Sequence, residues 1–260
     1  TYPKNERISD LLRSQIENRK STVEINFEQL NETHRFWAIT DGKMLQKIQK
    51  LFKKEVPHMY IADGHHRTSA TSLMHDRTDG DEFGSVLCAF FETTELEIFD
   101  FNRVIEGLNE VSPTWFMAKL SQLFDIQELK EPIKPSKKHE ITLFVNKEWY
   151  KLTWRKEVLK AYKNESVLLD VTLLNEKVLT DILGIEDVRT DLRVKYVEGV
   201  KGVDGVKGKT IKNEGRIGFC LYPVDMADFI KISDLGNTLP PKSTWFEPRI
   251  KNGLIVKEFG

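Results

Sequence analysis

The sequence predicts an α+β fold with mixed sheets and flanking helices, on three observations. Apolar residues recur at helical spacing in separate blocks, at Ile8, Leu11, Leu12 and Ile16 and again at Val171, Leu174, Val178, Ile182 and Leu183. Between those blocks lie short runs of strand character, some alternating (Val23, Ile25, Phe27) and some continuous (residues 85–91). No internal repeat of solenoid period is present.

Taken in order, residues 6–20 predict an amphipathic helix and residues 23–27 a half-buried strand. A second strand follows over residues 35–40, closed by Asp41-Gly42. Met44, Leu45, Ile48, Leu51 and Phe52 form one face of the next helix. Residues 59–62 predict a short apolar strand that meets a tight turn at Asp63-Gly64. A helix then opens near Arg67 or Thr68, with a thin apolar face of Ala70, Leu73 and Met74, and ends in the polar run 76–81. Residues 85–91 (Ser-Val-Leu-Cys-Ala-Phe-Phe) read as a central strand, and residues 97–101 as another. Ser112-Pro113 is a helix start, with a capping hydroxyl followed by proline at the first helical position.

The texture then changes. Residues 130–140 are a charged, proline-containing connection, and the expected boundary lies before it, giving regions 1–111 and 112–260. Residues 141–145 and 149–154 predict a hairpin around Asn146-Lys147. Asp170 is expected to cap a strong helix that Gly184 ends. A strand over 193–197, a Gly- and Lys-rich loop to Lys209, a strand over 217–222 and a helix over 223–235 follow. The tail from Leu239 must be a rigid loop, because neither Pro240 nor Pro241 can donate to a ladder.

Composition narrows the function classes. With 40% hydrophobic and 30% charged residues the chain is ordinary for a globular protein. A formal net charge of −1 argues against a broad basic surface for nucleic acid. No apolar run approaches the ~18 to 20 residues of a membrane span, so the cytoplasm is the expected location. Cys88 and Cys220 both lie in apolar strand-like runs and are expected to be buried thiols. The opening at Thr1, without a signal-peptide pattern, is read as the loss of upstream residues.

The chemistry concentrates at the turn. Asp63-Gly64-His65-His66-Arg67-Thr68 sits between an apolar strand and a helix start, where unpaired N–H groups and the positive end of the helix dipole attract anions. Gly64 lets backbone approach a ligand, and Arg67 adds a fork of donors matched to phosphate or carboxylate. His65 or His66 supplies a further bond, and Asp63 is the candidate base or Mg²⁺ ligand. Two adjacent histidines on a turn diverge, so zinc is disfavoured. Arg103, after the strand ending at Phe101, is a candidate second cation. Lys242, Ser243 and Thr244, stiffened by prolines and pinned by Trp245-Phe246, make a candidate binding loop. The run Gly205-Val206-Lys207-Gly208-Lys209-Thr210 is not a Walker A loop. Its first glycine would have to fall on Val203, and the residues after it make a poor helix.

Three runs together resemble one family: Tyr60 through Arg67 (Tyr-Ile-Ala-Asp-Gly-His-His-Arg), then Asn102-Arg103-Val104, then Pro241 through Phe246 (Pro-Lys-Ser-Thr-Trp-Phe). It is the bacterial and archaeal domain-of-unknown-function family 1015. Members usually carry a further N-terminal portion, so the resemblance implies that this chain is the C-terminal part of a longer protein. The Asp-Gly-His-His-Arg turn is similar to the phosphate-binding turn of the ParB and sulfiredoxin-like superfamily, which includes free-serine kinases and nucleotide-binding partition proteins.

The resemblance implies a ParB/sulfiredoxin-like anion- or nucleotide-binding region over 1–111. It also implies a C-terminal α+β region whose tail loop, 239–248, returns to the site. Gly64, His65, His66 and Arg67 would hold nucleotide phosphates on the resemblance, while Thr68, Arg103, Lys242, Ser243 and Thr244 are the further candidates that the residues themselves suggest. The expected function is nucleotide-phosphate binding with ATP or ADP and Mg²⁺, extending to phosphotransfer onto a small hydroxylated metabolite such as free serine. The alternative is a ParB-like nucleotide switch or DNA-associated regulator without phosphotransfer. A third is a catalytically silent anion sensor.

Overall fold

The computed structural model describes residues 1–77, 84–108, 111–213 and 215–258. Part of the polar run expected to close the focal helix, residues 78–81, lies outside them, as does residue 214 in the segment after Thr210. The chain divides into two units, Thr1–Leu96 with Ile250–Gly260, and Glu97–Arg249.

In the first unit the helix starts are written locally. α1 (Glu6–Ile16) is capped by Asn5, whose side chain accepts from the Ile8 N–H. β1 (Val23–Phe27) and β2 (Glu32–Phe36) form an antiparallel hairpin in which Val23 faces Phe36. α2 (Gly42–Glu55) is capped by Asp41, which accepts from the Met44 N–H at 2.6 Å. α3 (His65–His75) follows the turn. Tyr2, Ile8 and Val56 are buried together, with Leu12, Leu51 and Phe52 packed against them. The Tyr2 and Phe52 rings meet edge to face at 5.1 Å.

Two strand expectations are corrected here. Neither residues 59–62 nor residues 85–91 form a strand, and Cys88 is exposed rather than buried. Both runs have strand propensity, but a strand also needs a neighbour to pair with. Thr1 and Tyr60 exchange backbone hydrogen bonds, and Tyr2 bridges to Glu92 with its N–H on the Phe91 carbonyl.

The second unit begins with β3 (Glu97–Phe99) and β4 (Phe101–Glu106). α4 (Pro113–Leu123) starts as expected, the Ser112 hydroxyl accepting from the Trp115 N–H. β5 (Phe124–Leu129), β6 (Glu140–Val145) and β7 (Glu148–Trp154) come next. The β6–β7 turn has Asn146 and Lys147 both at positive φ, the geometry of a two-residue hairpin loop. α5 (Lys156–Lys160) is short, and α6 (Asp170–Leu173) runs into a π-helical stretch, Leu174–Thr180. Asp170 is the first helical residue, with Leu169 at the cap position. β8 (Val194–Glu198), α7 (Gly202–Thr210), β9 (Arg216–Leu221), α8 (Met226–Asp234) and β10 (Trp245–Glu247) complete the unit.

Six strands form one sheet in the order β5-β7-β6-β9-β4-β8, every neighbour antiparallel, and β10 pairs with β3 separately. All of β6 and the first five residues of β4 are buried, as inner strands covered on both faces must be. β4 lies between β8 and β9, and the second compact unit begins at Glu97. α7 overturns the loop expected before Lys209. Its two interior glycines disfavour a helix, but Val206 and Thr210 pack against β9 where Gly218 has no side chain, and a Cβ there would overlap both. No helix among the described residues is long and apolar enough to cross a membrane.

Candidate functional site

The turn is built from two adjoining residues of different conformational range. The chain bends at Asp63, and Gly64 takes φ 85° and ψ 21°, a left-handed conformation that costs other residues energy. The helix therefore begins at His65, two or three residues earlier than its apolar spacing suggests, and its first bond runs from the Thr68 N–H to the Gly64 carbonyl at 2.9 Å. No side chain caps this start. The first-turn N–H groups at His65, His66 and Arg67 are thus left for solvent or a ligand.

Arg67 folds back over the turn. Its Nη2 and Nε lie 3.3 and 3.5 Å from where a Cβ on residue 64 would sit, so the missing side chain is what gives the guanidinium its place. His65, His66 and Arg67 are exposed and Thr68 is half-buried. Beside the turn an open groove of about 540 Å³ runs along α3, lined by Ile61, His65, Thr68, Ser69, Ser72, Leu73 and Asp76. His66 and Arg67 do not line it. The five turn residues do not close into a cup; they form the head of a trough.

Ser69, Ser72 and Asp76 escaped sequence reasoning. Their signal was present, since positions 65, 68, 69, 72 and 76 share one helical face. Along that face hydroxyls stand beside the apolar Leu73, so apolar periodicity does not mark it. Among the described residues no group of three or more His, Cys, Asp or Glu side chains is arranged to hold a metal ion.

The remaining candidates lie in the second unit. Arg103, expected as a second cation for the ligand, is fully buried. Its guanidinium donates to the carbonyls of Phe101, Lys242 (3.1 Å) and Pro241 (3.4 Å), and sits 5.5 Å from the Tyr196 ring. Burial draws its pKa down to about 10, partly offset by Tyr196 and Asp100. Its Nη1 and Nη2 donors are engaged by main chain, while Nε is buried without a hydrogen-bond partner, so its part is to staple the tail to β4.

The tail is correspondingly rigid. Lys242 takes φ 54°, with its ammonium 5.1 Å from the Phe101 ring. Ser243 is buried and its hydroxyl donates to the Pro240 carbonyl at 2.5 Å. Thr244 is half-buried, and Trp245 opens the strand that pairs with Phe99. Arg249 stacks on the Trp245 ring at 4.2 Å. Of the tail candidates, Lys242 is exposed while the Ser243 hydroxyl is committed to closing the loop.

No curated protein matches the chain. Among solved structures, a free serine kinase in complex with AMP is 14% identical, covering 80% of this chain and 81% of that one at a TM-score of 0.37. SbnI with C-terminal truncation from Staphylococcus aureus is 14% identical, covering 83% and 80% at a TM-score of 0.43. A conserved hypothetical protein from Pyrococcus furiosus is 14% identical, covering 80% and 84% at 0.40. At this level of similarity, what those proteins bind remains a property of theirs. A family model matches residues 1–172, a span that holds the turn and Arg103 and stops short of the tail. The chain belongs to the family described as protein of unknown function (DUF1015).

Proposed function

We propose that the start of α3 binds the phosphates of a nucleotide, ATP or ADP, and that the protein transfers phosphate to a small hydroxylated metabolite such as free serine. The observation that carries this is the uncapped helix start behind a left-handed Gly64, with Arg67 folded over the turn and an open trough leading away, where the hydroxyls of Thr68, Ser69 and Ser72 stand beside Ile61 and Leu73. Unpaired N–H groups and the helix dipole favour anionic oxygens there. Arg67 adds charge-assisted donors, and Thr68 and His65 lie at the junction of turn and trough.

On this reading Asp63 would be the protein ligand of Mg²⁺. This ion commonly takes one or two carboxylates and completes its shell with phosphate oxygens and water, so a single carboxylate beside the phosphates suffices. When bound, the ion supplies charge neutralisation on the phosphates. Asp63 would hold it or orient the acceptor hydroxyl, Arg67 and the amides would position the phosphates, and the hydroxyls of Ser69 and Ser72 would line the approach.

Calorimetric titration of ADP tests the binding half. Arg67→Ala is expected to weaken ADP by roughly tenfold to a hundredfold, the loss of a hydrogen bond to a charged group. Incubation with ATP or ADP, Mg²⁺ and serine should yield phosphoserine, lost in Asp63→Asn while ADP still binds. Absence of nucleotide binding by the parent chain ends the reading. Binding without phosphoserine leaves a nucleotide-responsive switch in its place.

A further inference from the structure

The second unit holds a small cavity where distant segments meet. Asp100 ahead of β4, Lys138, Asp170 at the head of α6, Asp228 on α8 and Ser243 in the tail line it, beside aliphatic wall residues such as Leu169 and Leu221. Its interior leaves about 10 Å³ for the centre of a water-sized occupant, which is room for one such group.

This cavity carries more negative charge than it pairs. Asp170 is the clearest case, with a side chain only 4% exposed. Its Oδ2 accepts from the His139 N–H at 2.8 Å, but its Oδ1 is buried without a hydrogen-bond partner. His139 Nδ1 stands 3.4 Å from that oxygen and makes no hydrogen bond either. Lys138 is engaged elsewhere, its ammonium lying 2.8 Å from Asp225 Oδ2 and 2.6 Å from Asp228 Oδ2. Asp100 is buried too, and burial holds its carboxyl above the ordinary value against the pull of Lys134 and Arg103. A buried carboxylate oxygen without a donor is costly. An occupant that brings both positive charge and hydrogen-bond donors removes that cost.

We propose that the cavity takes an ammonium group, either the free ion or the head of a small primary amine. The size suits, because ammonium is about as large as the water the cavity admits. Three carboxylates against one lysine make the lining net negative, which favours a cation over a neutral water. An N–H donor supplies what Asp170 Oδ1 lacks. The Ser243 hydroxyl donates to the Pro240 carbonyl and keeps its lone pairs to accept another. A metal ion is a poorer occupant, since among the described residues no group of three or more His, Cys, Asp or Glu is arranged to hold one. The aliphatic wall offers a short alkyl chain an apolar surface.

Urea unfolding of the full chain, followed by tryptophan fluorescence, reads this unit, which holds four of the five tryptophans (Trp115, Trp149, Trp154 and Trp245). At equal ionic strength, ammonium chloride should raise the unfolding midpoint above that in tetramethylammonium chloride, which has no N–H to donate. The shift should grow with the logarithm of concentration. Methylammonium acting as ammonium does extends the site to primary amines, and ammonium acting alone restricts it to the free ion. Asp170→Asn keeps an acceptor for the His139 N–H but loses the charge, so the shift should vanish. Independently of any variant, isotope-labelled ammonium should give a bound proton resonance, separate from the free ion, with the parent chain. Equal midpoints in all the chlorides, potassium matching ammonium, a shift that persists in Asp170→Asn, or the lack of a bound resonance overturns the assignment.

Discussion

Replacing Gly64 with alanine separates the two tasks of the turn. The first cost is conformational, because φ of 85° is a left-handed geometry for which an L-residue pays roughly 1–2 kcal/mol. The second is steric. The new methyl would stand 3.3 Å from Arg67 Nη2, closer than a comfortable contact. Arg67 is exposed and can swing aside, so the collision adds little to unfolding but removes the guanidinium from above the helix start. Gly64→Ala should therefore lower stability in urea by about 1–2 kcal/mol. It should also weaken ADP by roughly tenfold to a hundredfold, as loss of Arg67 itself does. Combined with Arg67→Ala, it should add little further loss of affinity, since both remove one interaction. Urea denaturation and calorimetry on the two single variants and the double variant decide the matter. A Gly64→Ala protein that binds ADP as the parent does would refute the idea that Arg67 acts over this turn.

Other perturbations act in the second unit. Arg103→Met leaves the carbonyls of Phe101, Pro241 and Lys242 without their donor. It should cost about 3 kcal/mol in denaturation and open residues 239–244 to limited proteolysis; a protease-resistant tail would show that the staple is dispensable. Gly218→Ala drives a methyl into Val206 and Thr210, so a loss of about 1–3 kcal/mol is expected, with faster amide exchange in α7. Unchanged exchange would mean that α7 is not seated on this glycine.

Asp100→Asn tests a pH dependence. Burial raises the Asp100 carboxyl above its ordinary value, against the opposing pull of backbone, Lys134, Asn102 and Arg103. The folded state then holds this proton more tightly than the unfolded chain. The stability it contributes is full below the unfolded pKa and is lost as pH rises through the folded one. The variant should gain on the parent across that rise and show no such gain in stronger acid. Denaturation curves across the acid range would refute this if the difference were flat or reversed.

Much of the local structure was legible from residues close together in the chain. Ser112-Pro113 starts a helix, Asn146-Lys147 turns a hairpin, and Asp63-Gly64 breaks the chain before α3, each through hydrogen bonds or torsions spanning a few residues. The binding turn was legible for the same reason, although its helix opens at His65 and its trough runs along hydroxyls that an apolar search passes over.

By itself, then, the sequence determined the α+β class, the Ser112 helix cap and the position of the turn, because these depend on short-range sterics and hydrogen bonding. The tertiary structure decided the rest. Arg103 could be read as a free cation until a loop 139 residues away supplied the Lys242 carbonyl it holds. Residues 202–210 could be read as a loop until the bare surface at Gly218 gave them a seat. Residues 85–91 could be read as a buried strand, yet among the described residues the run joins no sheet and Cys88 is exposed. In each case the outcome turned on which distant groups arrived as partners, and no local pattern carries that information.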